Sequence, residues 1–132
     1  MLRLIKKLLE VKPLLFICIV FTLLATTAFL APIKGADSFN FVVPLDKLIH
    51  ILIYLSLSLL WLSYINKATI NLLGSPILIV VLLCFFYGIV IEVLQELFIP
   101  LRKADILDVL ANMIGVLFGV ILFKNVKNRI KS

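Results

Sequence analysis

Four long apolar runs constrain what this chain can fold into. They cover residues 14–31, 48–65, 76–99 and 106–123, and charge is almost absent inside them. A helix that crosses a membrane needs about 20 mostly apolar residues. Because only short connections are left over, the sequence predicts an all-α membrane protein in which four transmembrane helices form an antiparallel up-down bundle. We expect a single membrane domain over residues 1–132.

The composition supports a lipid environment and argues against nucleic acid as a partner. The chain is 64% hydrophobic and 15% charged, whereas soluble domains have about 45–50% apolar and about 25% charged residues. The net charge of +6 comes from basic residues that flank the apolar runs, which is typical of a membrane surface. Both cysteines lie inside apolar runs without metal-ligand spacing, and the sequence predicts no cofactor.

The distribution of Lys and Arg predicts the orientation in the membrane. Nine of the 13 basic residues lie in the two termini and the second connection, and the other four lie in the first and third connections. Loops rich in Lys and Arg stay on the cytoplasmic side. We therefore expect a multi-pass protein with both termini in the cytoplasm.

Polar residues interrupt the apolar runs at one predicted membrane depth. The second run starts, the third ends and the fourth starts on the outer side. Inserting an ionisable residue into a membrane costs free energy, roughly 2.5–3.5 kcal/mol at the centre of a helix. The residues that share this position, here called the polar cluster, are Asp46, His50, Glu92, Gln95, Arg102, Asp105, Asp108 and Asn112. The sequence predicts that they form a ligand-binding or functional site.

Helical spacing directs these side chains toward the bundle interior. Residues three and four apart share one face of a helix, and this spacing continues along the fourth run into Gly115 and Gly119. Small residues allow close helix approach, so we expect Gly88, Gly115 and Gly119 to be packing residues. On the same grounds Gln95 and Asn112 could serve as interhelical hydrogen-bonding groups.

Each charged residue has a structural alternative beside a functional one. Asp46 and Asp105 are candidate helix N-caps. Arg102, whose planar guanidinium matches phosphate or carboxylate, is the candidate anion binder. A buried Glu92 could instead pair with Arg102 or Lys103 reaching inward.

Three motifs together resemble the VanZ-like family of small bacterial integral membrane proteins. The motifs are Asp46-Lys47-x-x-His50-x-x-x-Tyr54, Gly88-x-x-x-Glu92-x-x-Gln95, and Pro100-x-Arg102-x-x-Asp105-x-x-Asp108-x-x-x-Asn112-x-x-Gly115-x-x-x-Gly119. The resemblance covers residues 44–119, with Leu101 where the family often has Gly. It implies the bacterial cytoplasmic membrane, the cell envelope, and a link to resistance against the glycopeptide teicoplanin.

Several functions remain open at this stage. We expect a protein that binds an anionic lipid or cell-wall precursor at the outer leaflet and so affects glycopeptide susceptibility. The alternatives are an intramembrane hydrolase, metal-dependent or acid–base, a proton-coupled lipid transporter, and a purely structural subunit. The sequence contains no hydrolase signature, assigns no metal-ligand set, and leaves homo-oligomerisation open.

Overall fold

The computed structural model describes residues 1–8, 10–31, 45–68 and 75–132, and this part of the chain is helical without strands. A short helix α1 (Leu2–Leu8) precedes α2 (Val11–Leu30), α3 (Leu45–Ala68), α4 (Pro76–Phe98) and α5 (Ile106–Lys131). Helices α2 to α5 are each long and apolar enough to cross a membrane. The predicted all-α fold class is confirmed, with four helices long and apolar enough to span a membrane.

The helices extend beyond the apolar runs at several ends. Helix α5 continues past residue 123 through the basic tail to Lys131, since a helix does not have to end where its hydrophobic part ends. Pro76 occupies the first turn of α4, as expected from its missing N–H. Residues 32–44, which connect the first two apolar runs, lie outside the described residues.

Long helices that follow one another in the chain run in opposite directions. At one end of the bundle, Gln95 near the end of α4 hydrogen-bonds to Phe29 near the end of α2, whose ring lies against His50 near the start of α3. At the other end, Leu14 of α2 and Lys127 of α5 line a common groove. The start of α2 and the end of α5 therefore share one end, and which membrane face that end meets stays a prediction.

The closest packing in the bundle joins α3 to α5. A side-chain carbon added at Gly115 would collide with the backbone carbonyl of Ile51, and one added at Gly119 would meet the Ser58 hydroxyl and lie 2.9 Å from the Leu55 carbonyl oxygen. Glycine is required at these two positions because the α3 backbone occupies the space of a side chain. This contact brings the first turns of α3 and α5 side by side.

Candidate functional site

The polar cluster occupies the end of the bundle where α3 begins, α4 ends and α5 begins, here called the site end. Its most enclosed members are side chains exposed by 3% or less: His50, Glu92, Gln95, Asp108 and Asn112. Asp46, Arg102 and Asp105 lie at the rim with intermediate exposure. All eight residues predicted from the sequence thus lie in one region, at the ends of three helices.

Lys47 forms the shortest ion pairs of the cluster. Its Nζ lies 2.7 Å from Asp108 Oδ1 and 2.9 Å from Asp105 Oδ2. The Asp108 side chain is only 3% exposed, and a buried carboxylate is tolerated when it is paired and hydrogen-bonded. Lys47 therefore joins the first turn of α3 to the start of α5.

Asp105 caps α5, as its position before the fourth apolar run suggested. Its Oδ1 accepts the backbone N–H of Leu107 at 2.8 Å, which satisfies one of the free N–H groups of the first turn. The Lys47 ammonium, followed by this N–H, holds the pKa of Asp105 below its usual value. The Asp105 carboxylate is therefore charged at neutral pH and committed to structural contacts.

Asp46 lies inside the first turn of α3, which begins at Leu45, and not before the helix as a cap would. Its carboxylate faces Arg102, whose Nη2 lies 3.4 Å from Asp46 Oδ2 and 3.6 Å from Asp108 Oδ2. Charge-assisted hydrogen bonds are about 2.7–2.9 Å long. Arg102 therefore lies loosely across two carboxylates, with much of its donor capacity unspent.

His50 is fully buried, 4.6 Å from the Phe29 ring centre. Its Nδ1 lies 2.8 Å from Asn112 Oδ1. Because a carbonyl oxygen only accepts, Nδ1 donates its proton in this pair. The other ring nitrogen, Nε2, faces Asp46 Oδ1 at 3.8 Å and Asp108 Oδ2 at 3.9 Å, and it has no hydrogen-bond partner among the described residues.

The carboxylate of Glu92 accepts a backbone hydrogen bond and makes no ion pair with Arg102 or Lys103 in the described residues. Its Oε2 accepts the backbone N–H of Asp105 at 3.0 Å, while Oε1 is buried without a hydrogen-bond partner in the described part of the chain. This bond ties the deeper part of α4 to the residue that caps α5. Glu92 therefore shapes the turn between the two helices and still presents one free oxygen.

Gln95, Asn112 and Tyr54 fill the interior below the turn between α4 and α5. Gln95 Nε2 donates to the Phe29 carbonyl oxygen at 2.9 Å, which links α4 to α2. A side-chain carbon at Gly88 would lie 2.9 Å from Asn112 Nδ2 and 3.3 Å from the Tyr54 hydroxyl oxygen. Gly88 therefore leaves room for Asn112 and Tyr54. Glu96, by contrast, is exposed.

Sequence reasoning missed two contributors to this site. Lys47 stands within a quoted motif, and its spacing of three residues from His50 places both on one helical face, so the signal was available. Phe29 contributes a ring and a backbone carbonyl. No sequence pattern identifies such a carbonyl, since every residue has one.

The charges of the site determine what it can bind. Four carboxyl groups (Asp46, Glu92, Asp105 and Asp108) meet two basic side chains (Lys47 and Arg102). Oxygen acceptors thus outnumber cations, and His50 Nε2, Glu92 Oε1 and Gln95 Oε1 are among the buried atoms without a hydrogen-bond partner in the described residues. The site can receive a cation or hydrogen-bond donors in its interior, while Arg102 can turn toward an anion at the rim.

Comparison with known proteins gives one match. A family model described as VanZ/LLP1 matches residues 5–127, nearly the whole chain, and confirms the resemblance seen in the three motifs. No curated protein and no solved structure matches the chain.

Proposed function

The chain belongs to the VanZ/LLP1 family, and we propose that it binds an anionic lipid or lipid-linked cell-wall precursor in the bacterial cytoplasmic membrane. The head group would bind at the site end. The basic residues lie mostly at the opposite end, which predicts that the opposite end is cytoplasmic and that the site end meets the outer leaflet. Through this binding the protein would affect susceptibility to glycopeptides such as teicoplanin.

The loose placement of Arg102 carries this proposal. Its closest contacts to Asp46 and Asp108 measure 3.4 and 3.6 Å, and its side chain is 26% exposed. A guanidinium has five N–H donors in a planar fork that fits a phosphate with two parallel hydrogen bonds. A phosphate approaching from the rim can therefore be bound by donors that the two carboxylates leave free.

The surroundings of Arg102 suit a ligand with both a charged and an apolar part. Leu101 beside it is fully exposed, and Leu97, Phe98 and Ile106 are each exposed by at least 70%. In a bilayer these side chains would contact hydrocarbon, so an acyl or polyprenyl chain can lie against them. A soluble anion would gain nothing from this apolar rim.

Binding of a lipid phosphate tests the proposal directly. The protein and its variants would be placed in nanodiscs of neutral lipid, and binding of a polyprenyl phosphate would be compared with that of the uncharged polyprenol. A charge-assisted hydrogen bond contributes about 1.5–3 kcal/mol, so Arg102→Ala should weaken phosphate binding by about 10- to 150-fold. The uncharged polyprenol should bind weakly to every variant.

Lys103→Ala is the matched control, because it removes the same charge from the neighbouring, exposed residue. If long-range attraction to the membrane surface were enough, both variants would lose binding equally, and the proposed site would be wrong. A selective loss in Arg102→Ala supports it.

The cellular role is tested by separating activity from protein level. Arg102→Ala and Glu92→Gln would be introduced individually, and teicoplanin susceptibility and the amount of folded protein would be measured together. A lost phenotype at normal protein level supports a functional site. Loss of the protein itself, or an unchanged phenotype in both variants, contradicts it.

A further inference from the structure

Asp46, His50 and Asp108 bring two carboxylates and one imidazole to a single point, and we propose that they bind a divalent cation there, Zn²⁺ or Mn²⁺ by ligand type. One ligand atom from each residue lies within 4.8 Å of the other two. Two ligands of one ion are at most about 4.0–4.4 Å apart, for bonds of about 2.0–2.2 Å. In a tetrahedral site such bonds put the ligands roughly 3.3–3.6 Å apart, so the side chains would have to close in on the ion by about 0.5–1.5 Å, and imidazole with carboxylates suits these ions.

The free nitrogen of His50 is the independent observation behind this proposal. Nδ1 is committed to the Asn112 carbonyl oxygen, so Nε2 is the ring nitrogen left to bind an ion. It faces oxygens of Asp46 and Asp108 at 3.8 and 3.9 Å, within a fully buried side chain, and has no hydrogen-bond partner among the described residues. An ion at this point would give the unpartnered nitrogen and the two carboxylates a common partner.

The contact between His50 and Asn112 also matches how proteins hold metal-binding histidines. Such a histidine almost always donates its other ring N–H to a carbonyl, carboxylate or water, which fixes the tautomer and the orientation of the ring. Here Asn112 is that partner, at 2.8 Å and buried. His50 is therefore oriented with Nε2 toward the two carboxylates before any ion arrives.

The two basic residues nearby would respond differently to the ion. Lys47 is bound at 2.7 Å to Asp108 Oδ1, which leaves Oδ2 available. Arg102 lies across Asp46 and Asp108 at 3.4–3.6 Å, where it supplies the positive charge that an ion would bring. We infer that the ion replaces Arg102 between these carboxylates, while Lys47 keeps its place.

This exchange connects the ion to the lipid ligand, and that connection alone rests on the proposed function. Arg102, once displaced, points its donors toward the rim, where a phosphate would bind. Three protein ligands also leave coordination positions open for water or a phosphate oxygen. The ion and Arg102 would then hold the same head group from two sides.

Direct measurement of bound metal tests the inference without any lipid ligand. The full-length protein in nanodiscs of neutral lipid would be stripped with a chelator and dialysed against Zn²⁺ or Mn²⁺, and metal per chain would be measured by mass spectrometry. We expect one ion per chain for at least one of the two metals. The ion should also raise the thermal midpoint of unfolding.

Asp46→Asn is the main test variant, because the Asp46 side chain is 45% exposed and we expect its replacement by a side chain of the same shape to leave the fold intact. It should lower ion affinity at least tenfold and abolish the stabilising effect of the ion. His50→Gln should do the same. Glu96→Gln, which removes an exposed carboxylate of α4 at the same end of the bundle, should leave binding unchanged.

Two results would overturn the inference: neither ion is retained, or Asp46→Asn binds as tightly as Glu96→Gln. Arg102→Ala separates the inference from the proposed function, since losing the displaced cation should leave ion affinity equal or higher. If the ion binds but polyprenyl phosphate does not, the proposed function fails alone. If phosphate binds in an Arg102-dependent way but neither ion is retained, the ion inference fails alone. If the ion is retained but phosphate binding persists undiminished in chelator, only the connection between the ion and the lipid ligand is wrong.

Discussion

Leu101 has a backbone conformation that suits glycine, and Leu101→Gly should therefore stabilise the turn between α4 and α5. Its φ of 66° lies in the left-handed region, which costs a residue with a side chain roughly 1–2 kcal/mol. The side chain is fully exposed within the protein, so its removal sacrifices no packing between helices. Glycine loses about 0.5–1 kcal/mol of extra backbone entropy on folding.

The balance of these two effects is a gain of at most about 1.5 kcal/mol, centred at about 0.75 kcal/mol. It can be measured from the free energy of unfolding in mixed micelles, with a denaturing detergent added in steps. Leu101→Ala is the control, because it removes the same apolar surface while keeping the β-carbon that causes the strain. We expect it to be close to neutral.

Equal effects of Leu101→Gly and Leu101→Ala would refute this reasoning, because the change would then come from the lost side chain and not from the backbone. A destabilised Leu101→Gly protein would refute it as well. The experiment also bears on Arg102, since the conformation of Leu101 sets the direction in which the next residue leaves the turn. A stabilising glycine that preserves phosphate binding would show that turn strain is not needed for the site.

Three other substitutions test the packing around the site, each through the free energy of unfolding in mixed micelles. Lys47→Met leaves the buried Asp108 carboxylate without its shortest ion pair and should cost about 3 kcal/mol, and a loss below about 1 kcal/mol would contradict a structural role. Gly115→Ala pushes a methyl group into the Ile51 carbonyl and should cost about 1–3 kcal/mol, whereas an unchanged stability would mean that α3 and α5 pack less closely. Glu92→Gln keeps an oxygen acceptor for the Asp105 N–H and should change stability by less than about 1 kcal/mol. Glu92→Leu lacks that acceptor and should cost about 1–3 kcal/mol more. Equal losses in the two variants would contradict the hydrogen bond.

The helices and the gathering of polar residues were predictable because both follow from spacing. Apolar length defines a transmembrane helix, and steps of three and four place Asp108, Asn112 and Gly115 on one face. Antiparallel connections then bring the start of α3 and the start of α5 to the same end. These inferences require no knowledge of which atoms touch.

The partners inside the cluster could not be predicted, because they depend on rotation and depth that spacing leaves undetermined. An ion pair with Arg102 or Lys103 was the structural alternative for Glu92, yet Glu92 accepts a backbone N–H from Asp105. Arg102 lies across Asp46 of α3 and Asp108 of α5, and its spacing in the sequence does not point to Asp46. The close approach of α3 to Gly115 sets these neighbours, and it is a property of two helices together.

The ion pairs of Lys47 have a consequence for how the protein is made. Helix α3, with Asp46, Lys47 and His50, is made before α5. Asp105 and Asp108 lie about 60 residues later in the chain, and a ribosome adds roughly 5–20 residues per second. During those seconds α3 holds charged groups in or near hydrocarbon without their final partners. The charged first turn of α3 therefore gains these ion pairs only once the start of α5 has been made. A chain that stops before α5 would leave Lys47 without either of its partners.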